Sequence, residues 1–274
     1  MFCDIELAGR IERAEAQFIG ACGAAAARRR GDRTGFVIPI AGGVASYAEP
    51  DSPLNKVAGL GFAGRPDPAG LDAVERAFAG RDAPVQPEIS SLADPGLLET
   101  LARRGYRLVS FENVLGRPLG GVVEPVAPPG VTVDHSGDDE FETWLGVVVE
   151  ASLNPDTQGV PWHEEFPRAI LENAERDAAG LVRRYLARFD GAPAGGGSMR
   201  VADGIAQLTG AGTAPAFRRR GIQSALLATR LADATAAGCD VAVITVQPGS
   251  RSQQNAQRRG FGLLYTRAVL ALLS

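Results

Sequence analysis

The chain repeats a thirteen-residue pattern at two places that lie 155 positions apart. Residues 103–115 read RRGYRLVSFENVL and residues 258–270 read RRGFGLLYTRAVL, with six identical positions and an aromatic residue after each glycine. The same shift places residues 88–91 on residues 243–246, and both are short strand-like runs. Self-similarity that keeps its register indicates a duplicated unit. Because a chain of 274 residues, at about 150 residues per domain, corresponds to roughly two domains, the repeat predicts two tandem domains with one fold.

A proline-rich segment separates the two copies. Residues 123–130 contain three prolines and a glycine, and such a stretch continues neither a helix nor a central strand. We therefore predict a first domain at 1–122, a linker at 123–130 and a second domain at 131–274. Each half is long enough to bury a core of its own.

The composition excludes several classes of protein. A hydrophobic fraction of 45% with 22% charged residues is typical of globular domains, and a net charge of −4 argues against a nucleic-acid-binding protein. No apolar run is long enough to span a membrane. The N-terminus lacks the pattern of a signal peptide, so the expected location is the cytoplasm. Cys3, Cys22 and Cys239 lack metal-ligand spacing, and no metal site is expected.

Residues 131–274 predict a mixed sheet with helices on both faces. The apolar periodicity and the turn residues give six strands and four helices. The strands are at 131–133, 181–189, 194–201, 205–213, 241–246 and from 263, and the helices are at about 138–151, 162–176, from 222 and at 250–259. Asp190-Gly191 is a strong hairpin signal. The predicted fold class is α/β (α+β), with a mixed, mostly antiparallel sheet in each of the two domains.

The segment after the strand at 205–213 carries residues suited to an anion. Residues 215–224 read PAFRRRGIQS, directly before an apolar helix. A helix N-terminus presents free N–H groups and a partial positive charge. Glycine lets the backbone approach a ligand closely, and arginines donate forked hydrogen bonds to phosphate oxygens. From the residues alone the segment is either a pyrophosphate cradle or a solvated basic turn.

This segment resembles the acetyl-CoA signature of the GCN5-related N-acetyltransferases, the GNAT family. That signature is a Gln/Arg-x-x-Gly-x-Gly/Ala loop after a strand that ends in Val-x-Pro. Arg218 and Gly221 match it, Thr213 replaces the valine before Ala-Pro, and Gln223 stands where the family has glycine or alanine. The elements after the loop follow in the family's order as far as Gly260 and the phenylalanine behind it. The resemblance covers about 145 residues, from 130 onward.

The resemblance implies an acyl-CoA-dependent N-acyltransferase, in which the primary amine of a small molecule attacks acetyl-CoA directly. The implied coenzyme contacts lie in the strand end, the loop, the helix start and a later helix: Ala211, Gly212, Thr213, Arg218, Arg219, Arg220, Gly221, Ile222, Gln223, Ser224 and Asn255. The strand end at 211–213 would supply backbone donors to the oxyanion. At the corresponding place in the first domain, residues 64–70 contain two prolines and Asp67, which predicts a degenerate copy without coenzyme.

The catalytic residues carry weaker signals. An amine with a pKa near ~10 must lose a proton before it attacks, and Glu164 and Glu165 are the candidate bases; an exposed helix start is their other interpretation. Many family members have a tyrosine, as general acid, where this chain has Ala256. Ser252, one turn earlier, is the candidate substitute. For Ser252 and Asn255, a helix cap and a polar surface residue are the alternatives.

A second class of function stays open, a non-catalytic acyl-CoA sensor or partner-binding module. The missing tyrosine and Gln223 favour it. A nucleotide-phosphate-binding protein is disfavoured because the chain lacks the Gly-x-x-x-x-Gly-Lys-Ser/Thr order. The first domain would stabilise the second, pair two chains as a homodimer, or wall the acceptor pocket. We favour the third role, in which the first domain forms one side of the acceptor pocket and the turn-rich segment at 154–159 and Trp162 close against it.

Overall fold

The computed structural model describes residues 1–31, 35–121, 127–156, 160 and 164–273. Helices and strands are mixed along these residues. Up to residue 118 they are α1 (Ile5–Arg30), β1 (Phe36–Ile40), β2 (Gly43–Tyr47), β3 (Lys56–Ala58), α2 (Pro68–Ala79), β4 (Glu88–Ser90), α3 (Pro95–Arg103) and β5 (Arg107–Pro118). From residue 131 they are β6 (Val131–His135), α4 (Phe141–Leu153), α5 (Arg168–Ala178), β7 (Arg183–Phe189), β8 (Ala192–Ala202), β9 (Ile205–Thr213), α6 (Ile222–Ala236), β10 (Val241–Val246), α7 (Arg251–Arg258) and β11 (Gly262–Ala271).

Contacts divide the chain into two compact units. Unit 1 consists of Met1–Val114, Val246–Pro248 and Leu263–Ser274, and unit 2 consists of Leu115–Thr245 and Gly249–Gly262. Nearly all of β11 therefore lies in unit 1, although its sequence position is at the end of the chain. These units follow from contacts, and the domain boundaries at 122 and 131 stay a prediction. Residues 122–126, in and beside the predicted linker, lie outside the described residues.

Unit 1 packs one long helix and two shorter ones on its strands. Asp4 starts α1 by accepting a hydrogen bond from the Leu7 N–H at 2.8 Å, and α1 ends at Gly31 in the left-handed conformation. The strands β1, β2 and β3 form an antiparallel sheet, and β4, β11 and β5 are neighbours in a second sheet. The core joins aliphatic residues of α2 and α3 to Tyr47 and Phe78.

A cluster of charged side chains lies inside unit 1. Glu12 on α1 accepts hydrogen bonds from Arg267 Nε at 2.8 Å and from the Tyr265 hydroxyl at 2.7 Å, both on β11. Lys56 Nζ is 2.5 Å from Glu88 Oε1. The guanidinium of Arg267 also lies 3.5 Å from Glu88 and 3.6 Å from Glu112. These ion pairs connect α1, β3, β4, β5 and β11.

Unit 2 contains a mixed sheet with helices on both faces, which confirms the predicted fold class. The strand order is β10-β9-β8-β7-β6; β10 is parallel to β9, and the other pairs are antiparallel. Two neighbouring glycines of β8 show which helix covers each face of the sheet, because successive residues of a strand point to opposite faces. A Cβ atom on Gly195 would meet Ile222 of α6, whereas one on Gly196 would meet Val148 of α4.

The internal repeat keeps its register in the structure. The ends of α3 at Arg103 and of α7 at Arg258 are 155 residues apart, and so are the starts of β5 and β11. Gly105 with φ 93° and Gly260 with φ 83° both make the left-handed turn between helix and strand. The predicted duplication therefore corresponds to a repeated helix–turn–strand unit.

Two helix boundaries differ from the sequence prediction. The helix expected from residue 162 begins at Arg168, because Pro167 precedes it and the residue before a proline avoids the helical conformation. The helix expected to be capped by Asp138 or Asp139 begins after Glu140, without a side-chain cap. Residues 157–159 and Trp162 lie outside the described residues. None of the helices in the described part of the chain has the length and apolar character that crossing a bilayer requires.

Candidate functional site

A β-bulge interrupts the pairing of β8 and β9 in unit 2. Gly196 is opposite Gly212 and Ser198 is opposite Thr209, so residues 210 and 211 together face Gly197. Such a bulge adds an unpaired residue and turns the local backbone out of the ladder. Gly210 has φ 49°, a left-handed conformation that glycine adopts without steric cost. The bulge therefore leaves backbone groups of β9 outside the regular hydrogen-bond ladder.

Two buried side chains hold this bulge, one from each helix layer. Trp144 on α4 donates its indole N–H to the carbonyl of Gly197 at 3.2 Å. Arg230 on α6 donates through Nη1 to the carbonyls of Ser198 at 3.1 Å and Thr209 at 3.3 Å. Both side chains are fully buried, and burial lowers the pKa of the Arg230 guanidinium to about 10.

Glu175 on α5 brings a carboxylate to the same bulge. Its Oε1 atom is 3.3 Å from the position of a Cβ atom on Gly210, and the Ser198 hydroxyl is 3.0 Å from that position. Within the described residues Glu175 makes no hydrogen bond or ion pair. Burial raises the pKa of its carboxyl group to about 7, because desolvation disfavours the charged form. A group that titrates near neutrality is suited to accept a proton at physiological pH.

The loop between β9 and α6 enters the helix through two left-handed residues. Arg219 has φ 64° and Gly221 has φ 81°. Gly221 is the N-cap residue of α6 and provides no side-chain cap, so the N–H groups at 222–224 point away from the helix without intrahelical partners. A Cβ atom on Gly221 would lie 2.5 Å from Pro128. Glycine is thus required at 221 by both its backbone conformation and its neighbour.

The three arginines of this loop have different surroundings. Arg218 donates a hydrogen bond to the backbone carbonyl of Asn154. The guanidinium of Arg220 lies over the ring of Phe189, 4.6 Å from its centroid, and Arg219 is exposed. At the end of β9, the Thr213 hydroxyl oxygen is buried and has no hydrogen-bond partner in the described structure.

The structure places the other predicted site residues on three segments. Ala211 is exposed on the bulge, and Gly212 packs on Ala151 of α4. Ile222 is buried, whereas Gln223 and Ser224 are partly buried in the first turn of α6. Glu164 and Glu165 are exposed and precede α5 instead of lying in it. On α7, Ser252 is exposed and Asn255 is partly buried, and Ala256 is part of the core.

The helix start in unit 1 that corresponds to this loop is arranged differently. Asp67 caps α2 and accepts a hydrogen bond from the Gly70 N–H at 2.6 Å. Pro68 occupies the first turn and has no N–H group. Arg65, in the preceding loop, pairs with Asp94 at 2.8 Å. A carboxylate of the chain itself therefore occupies the place where an anion would bind at this helix start.

Two residues of the site were not found by the sequence reasoning. Glu175 sits in the charged sequence RAILENAERDA of α5, and no local feature separates it from Glu172. Arg230 has a detectable signal: it lies within a run of buried apolar residues on α6, between Leu227 and Leu231. An arginine at the apolar face of a helix indicates a buried polar contact.

Comparison with known proteins identifies the segment that contains this site. Residues 148–261 match the family described as Acetyltransferase (GNAT) family. The chain contains a GNAT-family domain. The bulge, Glu175, Arg230 and the loop into α6 all fall inside the matched GNAT segment. A search of curated proteins found no significant match.

Solved GNAT structures have the same fold over most of the chain. A GCN5-related N-acetyltransferase from Kribbella flavida is 24% identical with a TM-score of 0.64, and covers 92% of this chain and 95% of its own. A second, from Sphaerobacter thermophilus, is 21% identical with a TM-score of 0.55, and the match covers 79% of this chain and 71% of that protein. A tandem GNAT protein from the clavulanic acid biosynthesis pathway is 12% identical with a TM-score of 0.60, and the match covers 92% of this chain and 87% of that protein. The fold is therefore that of two tandem GNAT-like domains.

Proposed function

We propose that this chain transfers an acetyl group from acetyl-CoA to the primary amine of a small molecule. The observation that carries this proposal is the order of two features in the GNAT segment. The bulge at Gly210 and Ala211 comes first, and an uncapped helix start follows at Gly221. The first suits a thioester carbonyl, and the second suits the phosphates of a coenzyme. The expected place of action is the cytoplasm, and the three free cysteines fit its reducing conditions.

The residues of the loop and strand end fit the chemistry of CoA. The N–H groups of Ile222, Gln223 and Ser224, together with the exposed Arg219, would hold the pyrophosphate. The buried Thr213 hydroxyl, which lacks a partner in the described structure, would bind the pantetheine arm. Arg218 and Arg220 make contacts with Asn154 and Phe189 that shape the loop, and Asn255 is a further candidate for the arm.

The transfer requires one nucleophilic attack and two proton movements. The amine nitrogen attacks the thioester carbonyl carbon, the C–N bond forms, and the C–S bond breaks so that the CoA thiolate leaves. Backbone N–H groups of the bulge would stabilise the oxyanion on the carbonyl oxygen. A thiolate whose parent thiol has a pKa near ~8.5 is a tolerable leaving group. Its protonation by solvent or by Ser252 completes the reaction.

We propose Glu175 as the acceptor of the amine proton. Its carboxylate lies beside the bulge, where it would be within reach of an amine that attacks a carbonyl bound there. Glu164 and Glu165 stay alternative candidates for this role. They precede α5 in an exposed segment.

Calorimetric titration of the full chain with acetyl-CoA, followed by a thiol-release assay over a panel of primary amines, tests the proposed function. We expect one binding site per chain, because Asp67 caps the corresponding helix start in unit 1. At a ligand concentration about 100 times the dissociation constant, binding would stabilise the fold by about 2.7 kcal/mol. Binding without turnover of any amine would favour the non-catalytic sensor, and absence of binding would refute both functions.

Arg219→Glu tests the loop without disturbing the packing around it. Because Arg219 is exposed, its reversal should leave the melting temperature unchanged while it weakens acetyl-CoA binding by about tenfold or more. Arg13→Glu, an exposed position on α1 in unit 1, is the control for the change in net charge. Gly221→Val is less informative, because the new side chain would collide with Pro128.

A further inference from the structure

Arg230 is a buried cation that has no carboxylate partner in the described structure. Tyr185 is a titratable neighbour, but burial raises the pKa of its hydroxyl, so that this group is neutral at physiological pH. The Tyr185 hydroxyl donates to Asp233 at 2.8 Å, and Asp233 is already paired with His135 at 2.6 Å. An ion inside a protein carries a desolvation penalty of several kcal/mol unless it is well paired. Arg230 offsets this penalty only with backbone carbonyls, those of Leu226, Ser198 and Thr209.

The strand opposite the guanidinium is adapted to it. A Cβ atom on Gly197 would lie 3.2 Å from Arg230 Cζ, closer than ordinary van der Waals contact. Gly197 is the residue of β8 that faces the bulge, and the third of three consecutive glycines in that strand. Glycine inside a strand weakens the strand and marks a close approach of another group. Here the group that approaches is the Arg230 side chain.

One of the three carbonyls that Arg230 binds, that of Thr209, belongs to a peptide group of the bulge. The Thr209 C=O and the Gly210 N–H are parts of the same peptide group. A cation bound to the oxygen of a peptide group withdraws electron density and makes its N–H a stronger donor, since hydrogen bonds in a chain polarise one another. Gly210 is one of the two bulge residues of β9 and has φ 49°. Its N–H group therefore lies within the bulge.

We propose that Arg230 is a positioning residue that strengthens the Gly210 N–H as an oxyanion donor. Its guanidinium fixes the bulge through Ser198 and Thr209, and its buried positive charge favours the negative charge that develops on the carbonyl oxygen. This inference rests on the proposed acyl transfer. The same contacts in a protein that only bound CoA would stabilise the sheet but would not affect a reaction rate.

The test compares full-length wild type with Arg230→Met and Arg230→Gln, which remove the charge, and Arg230→Lys, which keeps it. The carbonyl stretching frequency of bound acetyl-CoA, labelled with ¹³C at the acetyl carbonyl, is measured by infrared difference spectroscopy. We expect a shift to lower frequency in wild type, a smaller shift in the uncharged variants, and partial recovery with lysine. With an amine from the panel, kcat should fall by about tenfold or more in Arg230→Met, while KM for acetyl-CoA stays within about twofold.

Each outcome decides the proposal. A folded uncharged variant with the wild-type frequency and kcat overturns it, and so does failure of both uncharged variants to fold, which would assign Arg230 to stability alone. Arg183→Met is the control, since Arg183 is half-exposed on β7 and pairs loosely with Asp233 at 3.4 Å. Absence of acetyl-CoA binding to wild type would instead refute the proposed function.

Discussion

The carboxylate of Glu175 occupies the space beside Gly210 that any larger residue would fill. The distance from its Oε1 to the position of a Cβ atom on Gly210 is 3.3 Å, with the Ser198 hydroxyl 3.0 Å from the same position. Helix α5 and strand β9 thus meet at one point, where a left-handed glycine and a desolvated acid lie together. Unusual backbone and a perturbed pKa at one place are typical of functional sites.

Glu175→Gln should slow acetyl transfer without weakening coenzyme binding. Loss of a general base lowers kcat by about 10²–10⁴-fold, and the glutamine keeps the volume of the side chain. In wild type the pKa of Glu175 is raised to about 7, and the base acts only when deprotonated. The rate should therefore fall as the pH drops below about 7, and this limb should vanish in the variant. A pH–rate profile with calorimetric titration checks both effects.

Glu172→Gln is the matched control for Glu175→Gln. Glu172 lies one turn earlier on α5 and pairs weakly with Arg168, at 3.8 Å. Its replacement should leave the pH profile unchanged. A Glu175→Gln variant that retains the acidic limb would exclude Glu175 as the base and return attention to Glu164 and Glu165.

Gly210→Ala should damage the reaction more than the fold. A left-handed alanine costs about 1–2 kcal/mol, and the new methyl group would crowd Ser198 and Glu175. Gly191→Ala is matched in strain, because Gly191 has φ 83° but no atom within 4 Å of its Cβ position. We expect similar losses of stability from both variants in chemical denaturation, and a loss of kcat from Gly210→Ala alone. Equal kcat in the two variants would contradict a role for the space beside Gly210.

The sequence predicts many helices and strands of unit 2, because the signals for these elements lie in neighbouring residues. The strand at 205–213, the hairpin at Asp190-Gly191 and the helix that follows Gly221 all depend on periodicity and turn residues. The pairing of β11 with β4, in which Arg267 is opposite Ser90, joins residues that are far apart in sequence, and no nearby residue signals it. Glu175 was missed for the same reason, since only its contact with Gly210 distinguishes it.

Glu112→Gln should raise the stability of the protein above neutral pH. Burial and the nearby Glu88 raise the pKa of Glu112 to about 7 from a value near 4.5 in the unfolded chain. The folded state therefore binds the proton more tightly, and this stabilisation is present below about pH 4.5 and lost as the pH rises through about 7. The variant should reduce the decline in unfolding free energy between pH 5 and 8 by about 1–3 kcal/mol. Urea denaturation across this range measures it.

The exposed Glu99→Gln is the control for Glu112→Gln. Glu99 pairs with Arg103 on the surface of α3, where an ion pair contributes little to stability. The pH dependence of this variant should follow that of wild type. A Glu112→Gln curve parallel to the wild-type curve would show that the carboxyl group at 112 titrates normally in the folded protein.

Glu12→Ala should destabilise the fold more than any surface substitution. Glu12 Oε1 accepts hydrogen bonds from Arg267 and Tyr265 inside unit 1, and the Glu12 and Arg267 side chains are each only 2% exposed. Glu88 and Glu112 lie 3.5 and 3.6 Å from Arg267 and would compensate its charge only in part. Removing one partner of a buried pair costs about 3–5 kcal/mol, whereas an apolar replacement of both partners is often neutral. Glu12→Ala should therefore lower the midpoint of urea unfolding strongly, and Glu12→Met combined with Arg267→Met should recover most of the loss.

The control is Glu6→Ala, at the exposed start of the same helix, which should cost about 1 kcal/mol or less. A double variant no more stable than Glu12→Ala would mean that hydrogen bonds to Tyr265 and the shape of the pocket, not the buried charge, hold α1 against β11.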